Sequence, residues 1–208
     1  MRLPTPTPTA DPLPYDTWTG ASADPRARLP LSPTAIAGFD ALLHELHPDA
    51  ARVEPDRLHR LVNWLLTLPD ETARDVLERR LRRIDDLRMM LLDPDWDADP
   101  AMAARLRKLL DYIDRDDDLI ADHEPLLGLL DDVLLIELAW PAFAGEAEEY
   151  RDFSAYRTEE HPTGSGDEQR AAWIRDRLAE IALWRHKLRV NDSHYVHRGH
   201  PEDPFKVV

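Results

Sequence analysis

From Pro125 to Phe143 the chain reads Pro-Leu-Leu-Gly-Leu-Leu-Asp-Asp-Val-Leu-Leu-Ile-Glu-Leu-Ala-Trp-Pro-Ala-Phe, which is apolar on nearly every side of a helix. Such a helix has no face to give to water, so other helices or lipid must wrap it. Its three acids, Asp131, Asp132 and Glu137, decide between the two. Placing them in a bilayer costs about 8 to 10 kcal/mol, whereas the large apolar residues recover about 3 to 7. The run therefore predicts the buried central helix of a bundle, opened by Pro125. Membrane association through this helix would need an oligomer and is not predicted. Carboxylates on a buried helix need partners, because an unpaired buried charge costs several kcal/mol even after relaxation.

With 208 residues the chain suits one domain with tails. Cysteine is absent, which rules out disulfides and thiolate metal sites and fits a reducing compartment. Thr-Pro repeats after Met1-Arg2-Leu3-Pro4 leave no apolar segment for a signal peptide, so a cytoplasmic product is expected. The net charge of -15 is uneven: Lys+Arg against Asp+Glu is 12 against 14 over residues 1–92, 6 against 22 over 93–168, and 8 against 5 over 169–208. The middle segment repels phosphate backbones, which argues against nucleic acid. Cations or a basic protein partner suit it.

The order of elements predicts an all-α fold, a single bundle of six to seven helices. Residues 1–30 form a Pro-rich flexible arm with Tyr15 and Trp18 as docking aromatics, residues 31–189 the helical domain, and residues 190–208 an extended tail. Ser32-Pro33 starts the first helix, with Ser32 as N-cap, and it runs to His47. The second spans Pro55 to Pro69. The third starts at Asp70, buries Leu77, Leu81, Ile84, Leu87 and Leu91, and turns Arg79, Arg80, Arg82 and Arg83 outward, either as a solvated face or as counter-charge to the acids. Asp99 caps the fourth, which ends in the acidic run Asp114 to Asp118, where like charges and the helix dipole demand a loop or neutralisation. A short helix covers Glu146 to Arg157, and a last one Glu168 to Leu188.

Asp93, Asp95, Asp97 and Asp99 alternate like calcium ligands, but Ala98 and Ala104 stand where a calcium loop needs glycine and glutamate. The stretch Asp118 to Asp132 is the stronger candidate. If a helix opens at Pro125, Glu124, Gly128 and Asp131 share a stripe. Gly128 leaves that stripe bare for the loop carrying Asp118 and Asp122. Asp118, Asp122, Glu124, Asp131 and Asp132 would then suit Mg²⁺, Mn²⁺ or Ca²⁺, and His123 would serve as base in a metal-dependent hydrolase or lyase. The structural alternative has Asp118 and Asp122 capping turns while Asp131 or Asp132 pairs with an arginine of the third or fourth helix. A proton-sharing carboxyl pair is the third possibility. His44 with His47, and His194, His197 and His200, are spaced for ligation but lack acid or thiolate partners.

Tyr112, Asp118-Leu119-Ile120, Asp122, Pro125, Gly128 and Asp131-Asp132, followed by the apolar run, resemble the YkvA-like domain, a small bacterial domain of unknown function. The likeness covers residues 105–143 without gaps. Ala121 stands where the family has proline, and His123-Glu124 where it has two apolar residues. The resemblance implies a helix-loop-helix and no particular activity. Together these features point to a non-catalytic protein that binds a partner through an acidic face.

Overall fold

The structure, a computed structural model, describes residues 12–20, 24–27, 29–115, 119–120 and 126–196, with residues 25 and 192–196 described by backbone alone. Among them lie seven α-helices and no strand: α1 (Pro33–Leu46), α2 (Pro55–Leu65), α3 (Asp70–Leu92), α4 (Pro100–Ile113), α5 (Leu130–Ala139), α6 (Ala144–Glu160) and α7 (Gly166–Val196). The all-α class is as the sequence predicts. The chain separates into two compact units, and the division falls inside α6, between Ser154 and Ala155.

Proline in the first turn starts α1, α2 and α4, where its fixed φ fits and its missing N–H costs no bond. Asp99 caps α4 as expected, its Oδ1 accepting the Met102 N–H at 2.8 Å. Ser32 does not, because its hydroxyl makes no capping bond. An unpredicted capping box starts α7: the Ser165 N–H donates to Glu168 Oε2 at 2.8 Å, and the Glu168 N–H donates back to Ser165 Oγ at 3.4 Å.

The central helix is shorter than the sequence predicts. Leu126 adopts a φ of +72°, Leu127–Leu129 form a 3-10 turn, and α5 begins only at Leu130. A left-handed residue cannot continue a right-handed helix, so the rod does not reach back to Pro125, which lies outside the described residues. α5 packs against α1, α3 and α4, with Leu130, Val133, Leu134 and Leu135 fully buried. Protein therefore covers the surface that raised the question of lipid. No helix among the described residues is long and apolar enough to cross a membrane.

Part of the N-terminal arm is docked. Leu13 and Tyr15 are buried, and the Tyr15 hydroxyl accepts the Glu54 N–H at 3.3 Å and donates to the Arg52 carbonyl at 3.5 Å. Burial pushes the Tyr15 phenol up to about 12. At the other end α7 outruns its expected limit near Leu188 and continues to Val196, into residues read as extended tail.

Candidate functional site

Asp131 sits in the first turn of α5 and is 1% exposed. Its Oδ2 accepts the Tyr112 hydroxyl at 3.1 Å, the Leu119 N–H at 3.0 Å and the Ile120 N–H at 3.1 Å. The end of α4, part of the connection and the start of α5 are thereby tied to one oxygen. Burial pushes the Asp131 carboxyl up to about 6, against the pull of the Ile120, Tyr112 and Leu119 donors. Its Oδ1 meets no donor among the described residues.

Of Asp131 and Asp132, the two aspartates expected beside an arginine, Asp131 takes neutral donors, and two arginines of α3 meet α5 about one and a half turns further along. Glu137 receives Arg80 Nε at 3.4 Å and Arg83 Nη1 at 3.1 Å, and the Arg83 guanidinium lies 4.9 Å from the Trp140 ring centroid. Arg80 is only 4% exposed, so the outward basic face read from the sequence is corrected at that position. Spacing explains it: Leu77, Arg80, Ile84 and Leu87 recur at three and four, which puts Arg80 on the core stripe. Arg79 stays in solvent with Asp75. At the end of α4, Asp114 is neutralised by Arg88.

Of the residues predicted to gather around a cation, Asp118, Asp122, His123 and Glu124 lie outside the described residues. The stripe joining Glu124, Gly128 and Asp131 required a helix from Pro125, and the start of α5 at Leu130 removes it. Asp131 and Asp132 are both buried, and no group of three or more ligating side chains able to hold a metal is found among the described residues. His44 faces two carbonyls, with Nδ1 2.7 Å from that of Asp40 and Nε2 3.1 Å from that of Ala50. His47 Nδ1 lies 2.9 Å from the Leu138 carbonyl. Both histidines therefore act as packing groups. The side chains of His194, His197 and His200 lie outside the described residues.

The alternating acids after α3 divide into two kinds. Asp93 accepts the Asp95 N–H at 2.9 Å and the Tyr150 hydroxyl at 3.1 Å, and Asp99 caps α4, so these two serve the fold. Trp96 Nε1 donates to Glu146 at 2.9 Å, and burial, with repulsion from Glu149 and Asp99, raises the Glu146 carboxyl. Asp85, Asp97, Glu148 and Glu149 remain exposed. Met89 and Leu92, near the end of α3, are 61% and 76% exposed. Asp85, Met89 and Leu92 stand at steps of four and three, on one outward stripe of α3.

That apolar pair was missed in the sequence, where Leu91 completed the core pattern and drew attention from its neighbour. An open cleft of about 470 Å³ lies elsewhere, floored by Phe39, Leu42, Tyr112 and Leu119, with Lys108 and Arg115 at its rim. No serine or histidine among the described residues lines it. Exposed methionine and leucine on the stripe of Asp85, followed in the chain by the acidic turn Asp93 to Asp99, can seat a basic amphipathic helix, the apolar residues gripping one stripe while the acids meet its rim. No family model, curated protein or solved structure matches this chain.

Proposed function

We propose that this chain is a non-catalytic, cytoplasmic helical protein that binds a basic partner through the acidic face formed by the end of α3, the turn Asp93 to Asp99 and the start of α6. The observation that carries the reading is the exposure of Met89 and Leu92 on the same stripe as Asp85. Large apolar side chains held in water beside uncommitted carboxylates favour a partner that is apolar and basic together. The same field of charge disfavours nucleic acid. The Tyr112 to Asp131 link supports a YkvA-like helix-loop-helix over residues 105–143, since it joins two of the residues on which that resemblance rests.

The test is capture of a basic amphipathic helical peptide at low salt. Asp85→Lys with Asp97→Lys is expected to abolish capture while leaving the helix content unchanged. Equal binding by the variant and the parent would refute the reading. A second reading, a divalent cation such as Mg²⁺ or Mn²⁺ near α5, is favoured by one observation, the donor-free Oδ1 of Asp131. Elemental analysis of protein purified without chelator, with melting curves in added Mn²⁺, tests it. No metal and no shift removes it.

A further inference from the structure

From Ile174 to Asn191 almost every residue of α7 is exposed, including Ile174, Leu178, Ile181, Trp184 and Leu188. At about 100° per residue, these five fall within an arc of roughly 120°. Their spacing of four, three, three and four is that of a helix seam made to be covered. Arg177 and Arg185 lie within the same arc and Arg189 beside it, whereas Asp176 and Glu180 fall outside it. The stripe is thus apolar with Arg177 and Arg185 set into it and Arg189 at one edge, while the acid nearest the other edge, Glu180, lies about 40° beyond it.

We infer that the stripe of α7 docks on the acidic face of a second copy of this chain, around its Met89 and Leu92, in a reciprocal exchange that closes as a dimer. The inference rests on the acidic-face reading and names its partner. Charge selects this occupant over others. Pairing α7 with another α7 would set Arg177, Arg185 and Arg189 against one another, and like charges across a helix seam are destabilising. An anionic lipid surface would attract α7 but repel a chain of net charge -15. A second copy supplies the missing sign together with apolar side chains: residues 93–168 carry 22 acids against 6 basic residues. A reciprocal exchange also uses both sites of each copy, leaving none to propagate a filament.

The experiment is light scattering on the full chain during size exclusion, at low and high salt. The parent is expected to run at twice the 23.9 kDa of one chain, and raised salt is expected to shift it toward the single mass. Arg185→Glu with Arg189→Glu, and separately Asp85→Lys with Asp97→Lys, are expected to give single chains of unchanged helix content. Mixing the two variants is expected to restore a dimer, because one brings an intact face and the other an intact α7. A parent that stays at 23.9 kDa at every concentration overturns the inference. If that single chain still captures the basic peptide, the acidic-face reading stands; if it does not, both fall. A dimer that survives Asp85→Lys with Asp97→Lys overturns the inference too, since the stripe then has another cover.

Discussion

α5 and α7 both carry leucine and isoleucine at close intervals, yet one is the most buried helix among the described residues and the other among the most exposed. In α5 two of the three acids are answered inside the protein: Asp131 holds the Tyr112 hydroxyl and two backbone N–H groups, and Glu137 holds Arg80 and Arg83. In α7 a basic residue stands every few positions from Arg175 to Arg189, and the helix lies open to water. The difference teaches that apolar content does not decide burial. A charged helix goes inside only where neighbouring elements supply a counter-charge or a row of donors at the right height.

The comparison breaks first at Glu137. Glu137→Ala leaves the nearly inaccessible Arg80 without that carboxylate, and a loss of about 3–5 kcal/mol is expected in denaturant unfolding. Leu134→Ala opens a cavity in the core, where Leu134 is fully buried, and is expected to cost about 2–5 kcal/mol. A loss below 1 kcal/mol at either position would mean that α5 is not the core helix.

Asp131 sharpens the contrast through pH. Its folded pKa of about 6 lies above the ordinary 3.8, so between roughly pH 4 and pH 6 the folded chain binds more protons than the unfolded one. Stability from this group is therefore present at low pH and falls as pH rises through that window, by an expected total of about 3 kcal/mol. Asp131→Asn keeps an acceptor for Tyr112 and the loop N–H groups but cannot titrate. It is expected to remove this part of the pH dependence of unfolding, and an unchanged slope between pH 4 and pH 6 would show that another group carries it. The smallest effect belongs to α7: Leu183→Ala, on the side opposite the basic stripe, is expected to change stability by less than about 0.5 kcal/mol. A larger loss would show that the far side of α7 is also covered.

Much of the fold was legible because helix starts are local. Pro33, Pro55 and Pro100 announced three helices, Asp99 its cap, and Asp93-Pro94 the end of α3. The late start of α5 was not legible, because nothing in Pro125 to Leu129 tells that Leu126 will turn left-handed. The extension of α7 to Val196 escaped for another reason: the apolar period that marks the helix stops at Leu188, and nothing after it repeats. At the candidate site the need of the buried acids for partners was readable, but the choice of partner was not. Asp131 or Asp132 was matched with arginine and Asp131 took neutral donors, while Glu137, read only as a cost to membrane insertion, took two arginines.

By itself the sequence determined the helical class, most helix boundaries, the separation of charge between the middle segment and the last helix, and the requirement that the acids of the apolar run be answered. Those follow from propensity, capping and charge, which act over a few residues or over whole segments. Only the tertiary structure decided that Arg80 is core, that Asp131 is a buried anchor, and that Met89 and Leu92 stand in water on the stripe of Asp85. Each depends on which side of a helix meets a neighbour, and that is set by packing between elements far apart in the chain.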